Sequence, residues 1–310
     1  MKKLLFGLFL LFSFGLQAAD REVIFLWSQG VPESNGITEP ETIKNDRVSN
    51  VSVPSMTFYP ADSVKNTGVT ILIIPGGGYA MEAAAHEGSQ FGEWLSGLGI
   101  NAFVLKYRLP NKHAFIPLKD AQQAMRIIRS RAVEWKLNPA KIGVSGFSAG
   151  GHLASTLGTH FDLGTPISPV APSKVKKPVQ PAPLSSYSCR PDFMILFYPV
   201  VSMQESVTHG GSRENLLGPG YKKDSVNYYS NELQVTKDTP PTLFFLSDDD
   251  RTVPPQNSLD FYAALKKYKI PAALYLFPEG SHGWGFHETF RYHEIWKNLY
   301  IDWLKERNIL

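Results

Sequence analysis

From about residue 70 onward, short apolar runs rich in branched residues alternate with longer amphipathic stretches, the pattern of a mostly parallel sheet wrapped by helices. Val69 to Ile74, Asn101 to Leu105, Lys141 to Val144, Phe193 to Tyr198, Thr242 to Leu246 and Ala273 to Phe277 read as strands. Glu87 to Leu98, Ile116 to Trp135, Gly151 to Thr159 and Pro255 to Tyr268 show helical spacing. The fold class expected is therefore α/β, built from βαβ units. The segment Arg21 to Pro60 is polar and turn-rich, with short alternating runs such as Val51-Ser52-Val53, and suggests antiparallel edge strands leading into the sheet. Leu163 to Ser188 is rich in proline, carries Lys174, Lys176 and Lys177 and has no hydrophobic period; it reads as an irregular insertion (163–188).

The N-terminus departs from this pattern. Met1-Lys2-Lys3, an apolar run from Leu4 to Leu16 and the small-residue site Gln17-Ala18-Ala19 read as a secretory signal peptide over residues 1–19, with a single α/β domain expected over 20–310. The apolar run is shorter than the roughly 20 residues that cross a bilayer. The expected product is thus exported to the periplasm or outside the cell, with no membrane attachment after cleavage. Loss of Lys2 and Lys3 lowers the formal charge from +3, leaving no strong attraction to nucleic acid. The single cysteine, Cys189, has no partner for an internal disulfide and reads as a small buried residue.

Candidate chemistry centres on Gly146-Phe147-Ser148-Ala149-Gly150, which lies between a strand-like and a helix-like run. A serine on so sharp a strand-to-helix turn takes strained backbone angles, and only small neighbours let the chain fold back closely. A serine hydroxyl is a weak nucleophile, so a histidine must take its proton and a carboxylate must orient that histidine. In this arrangement the acid and then the histidine follow in the chain, at carboxyl ends of later strands. Thr242 to Leu246 runs into Ser247-Asp248-Asp249-Asp250, and Ala273 to Phe277 runs into Pro278-Glu279-Gly280-Ser281-His282-Gly283. His282, in a glycine-flanked loop, is the expected base, with His287 the alternative; His152 and His86 read as structural. Asp250 is the expected acid, with Asp249 and Asp248 competing; the unused pair is expected to cap the following helix or meet Arg251. Bare amides for the developing oxyanion come from Pro75-Gly76-Gly77-Gly78-Tyr79, with Gly77, Gly78 and the amide of Ala149 the expected donors. The triple glycine lacks the Lys-Ser or Lys-Thr of a phosphate loop. No histidine spacing suggests a metal site, and no cofactor is expected.

Assembled, these motifs resemble the α/β-hydrolase superfamily, in particular the bacterial esterase and lipase group that includes acetyl xylan esterases and feruloyl esterases. Pro75-Gly76-Gly77-Gly78-Tyr79, Tyr107-Arg108-Leu109-Pro110, the elbow through Ala154, Arg190-Pro191-Asp192-Phe193, Asp250 with Val253-Pro254, and His282-Gly283 carry the resemblance. It implies an α/β-hydrolase fold and a serine carboxylesterase releasing short acyl groups, most simply acetyl, from xylan or a related plant polysaccharide. Acylated carbohydrate or a small ester would be its substrate. Related chains often place histidine before the glycine run, where this one has Pro75. Feruloyl esterase or general lipase activity shares the chemistry, and Trp284 and Phe286 could line an acyl pocket, form a sugar-stacking shelf or simply pack. A serine exopeptidase shares the elbow but adds an upstream propeller or cap, for which the stretch before Val69 leaves little room. A non-catalytic binding module would be favoured by a missing triad member.

Overall fold

The computed structural model describes residues 21–162, 164 and 182–310, so the signal-peptide reading and most of the 163–188 insertion lie outside the described residues. Among the described residues ten strands are formed: β1 (Val23–Phe25), β2 (Thr42–Lys44), β3 (Arg47–Ser49), β4 (Ser55–Tyr59), β5 (Thr70–Ile74), β6 (Asn101–Lys106), β7 (Ile142–Phe147), β8 (Met194–Phe197), β9 (Thr242–Ser247) and β10 (Ala272–Phe277). Seven α-helices accompany them in the same residues: α1 (Gln90–Gly97), α2 (Phe115–Ser130), α3 (Ser148–Thr159), α4 (Gly210–Leu217), α5 (Lys223–Tyr228), α6 (Gln256–Lys267) and α7 (His293–Glu306). Eight strands form one sheet in the order β1-β4-β6-β5-β7-β8-β9-β10, while β2 and β3 make a separate hairpin. β4 runs antiparallel to β1 and β6, and every pairing from β6 to β10 is parallel.

The central strands form where the sequence is apolar without alternation. Parallel strands are covered by helices on both faces, so every residue of β5, β7, β8 and β9 is buried. The antiparallel start of the sheet matches the expectation for residues 21–60, but Val51-Ser52-Val53 forms no strand; β4 begins beyond it, after Pro54. Helix α2 stops at Ser130 rather than Trp135, because Ala132 to Trp135 turns back to bury Trp135 against Phe58 and Phe103.

Order in the sheet places the site. From β5 the chain crosses to β6 on one side, then returns past β5 to β7 on the other. That reversal opens a crevice beyond the carboxyl ends of β5 and β7, where ligands bind in open α/β sheets. The glycine run follows β5, and Ser148 follows β7. The Arg190-Pro191-Asp192 segment anchors β7 from below, with Asp192 Oδ2 accepting the Ile142 amide at 2.8 Å. Cys189 is fully buried.

Candidate active site

Ser148 sits where β7 turns into α3, with φ of +51°, in the left-handed region that non-glycine residues rarely occupy. Close approach explains its glycine neighbours. A Cβ on Gly146 would lie 2.4 Å from the Gly150 carbonyl oxygen, and one on Gly150 would lie 2.2 Å from the Ile74 oxygen. The elbow thus presses α3 against the end of β5, bringing serine and glycine run together.

Ser148 Oγ is 2.8 Å from His282 Nε2, and His282 Nδ1 is 2.7 Å from Asp250 Oδ2. Because a carboxylate only accepts, Nδ1 carries the proton and Nε2 is the free acceptor for the serine hydroxyl. Asp250 is nearly buried, and its Oδ1 accepts the amides of Thr252 and Val253, both at 2.9 Å. Those two bonds hold the carboxylate rigidly in its loop. Asp249, the residue before it, does not cap a helix; its Oδ1 accepts the Ser281 amide at 2.7 Å, which fixes the loop before His282 and holds its carboxyl below the usual range.

Of the expected oxyanion donors, Gly77 and Gly78 line a cavity of about 420 Å³ together with Ser148 and His282. Among the described residues no protein acceptor takes the Gly77 or Gly78 amide. Ala149 is the second residue of α3, where an amide has no acceptor within its own helix, and its side chain is buried. The glycine run is held from several sides. Gly77 O accepts Ala80 and Met81 amides, Gly78 O accepts Asn215 Nδ2 at 2.9 Å, and Tyr107 donates its phenol to Pro75 O at 3.2 Å. Positive φ at Gly77 (+129°) and a Cβ that would fall 2.2 Å from Met81 O make glycine necessary there. Next to Tyr107, Arg108 and Asp120 form a wholly buried ion pair, to which the Arg108 amide and, at 2.8 Å, Trp27 Nε1 add further donors.

Other residues reach the cavity without a sequence signal. His209 caps α4, accepting the Ser212 amide through Nδ1, and lines the cavity with Gly211, Asn215, Arg47 and Met81. The segment around Gly210-Gly211-Ser212-Arg213 is therefore a helix. Burial, then the nearby His282, lowers the His209 pKa. His86 lines the cavity too and stacks on exposed His287; burial first, then His287 and Arg47, takes its pKa down to about 4. Glu87, also in the lining, is buried with both oxygens occupied: Oε2 accepts the Gly76 amide and Oε1 the Tyr198 phenol, each at 2.8 Å. Burial raises its pKa while the two donors oppose the rise.

His152 plays the structural part expected. Its Nε2–H donates to Tyr229 O at 2.7 Å, so Nδ1 accepts the Tyr79 phenol at 2.8 Å, and burial takes its pKa down to about 4. Trp284 does not line the Ser148 cavity; it stacks on Phe290 at 4.1 Å in the core, its indole N–H donating to Ser247 Oγ. Phe286 packs edge-on against Phe91 and Trp296, outside the Ser148 cavity. Among the described residues, no three histidine, cysteine, aspartate or glutamate side chains come together as a metal-binding group, and no helix is long and apolar enough to cross a membrane.

Comparison with known proteins agrees with this architecture. The crystal structure of an acetyl ester-xyloside bifunctional hydrolase from Caldicellulosiruptor lactoaceticus is 38% identical, with a TM-score of 0.76 over 93% of this chain and 97% of that one. An acetylxylan esterase from Xylanibacter ruminicola is 39% identical over 77% of this chain and 46% of its own length. Endo-1,4-beta-xylanase B from Butyrivibrio fibrisolvens is 36% identical over 74% of this chain and 34% of its own. The chain thus spans less than half the length of the curated relatives it matches. The family described as BD-FAE matches residues 56–265, through both the glycine run and the elbow. On these grounds, and with its α/β-hydrolase architecture, the chain belongs to the BD-FAE family.

Proposed function

We propose that this protein is an exported serine carboxylesterase that removes short acyl groups, acetyl foremost, from xylan or a related plant polysaccharide. The observation that carries the reading is the relay Asp250–His282–Ser148, with bonds of 2.7 and 2.8 Å, ending in a cavity that Gly77 and Gly78 also line. The substrate class is supported by the acetylxylan esterase and the acetyl ester-xyloside hydrolase that the chain resembles. Export is supported by the charged, apolar and small-residue succession of residues 1–19.

In this mechanism Ser148 Oγ attacks the ester carbonyl carbon as its proton passes to His282 Nε2. The carbonyl oxygen becomes an oxyanion held by the amides of Gly77, Gly78 and Ala149, each such donor contributing about 10²–10³ in rate. The positive end of α3 adds to this stabilisation. Collapse expels the alcohol, which takes the proton from Nε2, and leaves Ser148 acylated. Water then attacks the acyl-enzyme by the same route, releasing the acid and restoring the serine. Asp250 keeps the proton on Nδ1 and stabilises the imidazolium that forms in both halves.

The cavity lies toward the small end of the ~300–1,000 Å³ usual for ligand pockets, which suits a small acyl group. Acetate release from acetylated xylan, measured beside rates on p-nitrophenyl esters of increasing chain length, tests the reading. Acetate release with rates that fall as the acyl chain lengthens is expected. Rates that rise with chain length, with no acetate from xylan, would replace it with a lipase.

A further inference from the structure

Glu87 lies in one turn of π-helix, Ala85–Ser89, wedged between the glycine run and α1. Such turns carry an extra residue, and they recur at functional sites. Only 3% of Glu87 is exposed. Its carboxylate begins a chain of bonds joining segments far apart in sequence. Oε2 receives the Gly76 amide, one residue before the oxyanion glycines, and Oε1 receives the Tyr198 hydroxyl at the end of β8. The Tyr198 oxygen in turn receives the Gly285 amide at 2.8 Å, three residues beyond His282. Tyr198 also stands edge-on to the His282 ring, with centroids 4.8 Å apart, and holds a φ of +35° that a tyrosine adopts only under constraint.

We propose that Glu87 is a positioning residue for the reaction: through Gly76 it sets the turn that presents the oxyanion amides, and through Tyr198 it sets the loop and ring that hold His282. The inference rests on the serine-esterase reading above. Donor accounting gives the carboxylate its specificity. A phenol has one hydrogen, and because its oxygen accepts from Gly285, that hydrogen goes to Glu87. Both Glu87 oxygens therefore face donors. Glutamine is the same size, but its NH₂ must either face the Gly76 N–H, donor against donor, or reverse the Tyr198 bond and leave the buried phenol hydrogen without its acceptor.

Glu87→Gln, Tyr198→Phe and the double variant, assayed on p-nitrophenyl acetate well below their unfolding temperatures, test the proposal. A displacement of about 1 Å at a reacting group costs up to about 10²-fold. Glu87→Gln is expected to lower kcat by about 10- to 100-fold with KM within about two-fold, and Tyr198→Phe, which keeps its ring, by about 5-fold. Because the two share the Glu87–Tyr198 bond, the loss in the double variant should be clearly smaller than the product of the two single losses. An unfolding temperature that falls while kcat holds would make the network merely structural and overturn the proposal. Losses that multiply, or that appear in KM alone, would overturn it as well. If Glu87→Gln fails to fold, an unchanged kcat for Tyr198→Phe overturns it. Wild-type protein without esterase activity would instead sink the esterase reading and this proposal together.

Discussion

Replacing Asp250 by asparagine separates the carboxylate's charge from its shape, and the structure dictates which way the new amide must turn. Asp250 Oδ1 accepts two backbone amides, from Thr252 and Val253, both at 2.9 Å. An NH₂ group cannot face two N–H donors, so the asparagine oxygen takes that position and its NH₂ replaces Oδ2, 2.7 Å from His282 Nδ1. Nδ1 must then accept, which moves the ring proton to Nε2 and points it at Ser148. In that tautomer the histidine cannot take the serine proton, and the imidazolium has lost its counter-charge. Misplacement of this kind costs about 10⁴ in kcat, or about 5 kcal/mol of transition-state stabilisation. KM should change little, because Asp250 lies behind His282 and does not line the cavity. Stability should change little too, since the two loop bonds survive. Steady-state kinetics on p-nitrophenyl acetate with a thermal unfolding curve for each protein make the assay. A variant retaining kcat within ten-fold of wild type would refute the reasoning, as would a loss fully explained by unfolding.

Two further outcomes concern stability. Folded His152 has a pKa of about 4 against an ordinary 6.5, so as pH falls below about 6.5 the unfolded chain binds the proton first and folding stability is lost. The shift corresponds to about 3 kcal/mol by pH 4, so the stability advantage of wild type over His152→Gln, followed by urea unfolding at pH 7, 5 and 4, should shrink by about that amount; a constant gap would contradict it. Arg108→Met should destabilise by about 3–5 kcal/mol, because Asp120 would keep its charge in the core with only Trp27 Nε1 and the residue 108 amide to meet it. Chemical denaturation of the two proteins measures this, and a difference below about 1 kcal/mol would show that water or another group reaches Asp120.

The parts of the site legible in the sequence were those enforced by backbone geometry. Strands buried on both faces cannot alternate, so β5 and β9 stand within a residue of where their apolar runs lie, while β7 runs three residues past Val144, through the small Ser145 and Gly146 to Phe147. Gly146 and Gly150 are demanded by contacts closer than any Cβ permits, and a spacing enforced by contact is visible as spacing. Glu87 offered no such signature. Its role depends on Gly76, Tyr198 and Gly285 meeting in space, and nothing along the chain marks that meeting. His209 was equally hidden, because a histidine cap on a short glycine-led helix has no hydrophobic period. Trp284 stood open for another reason: its place beside His282 suited a pocket wall, a sugar shelf or plain packing, and only the turn at Gly283, which sends the indole into the core, decides for packing. Choosing Asp250 over Asp249 turned on a difference of one residue, and only the loop's own hydrogen bonds separate a carboxylate that meets His282 from one that meets the Ser281 amide.

The central claim is that Ser148 is the nucleophile of an ester-cleaving relay. Incubation with a p-nitrophenyl phosphate triester, followed by intact-protein mass and peptide mapping, tests it most directly, since an activated serine displaces the nitrophenolate far faster than an ordinary side chain does. The account predicts one phosphoryl adduct per chain, on Ser148, formed in proportion to the loss of esterase activity and absent from Ser148→Ala. An adduct mapped to another residue, or activity that persists once Ser148 is fully labelled, would contradict it.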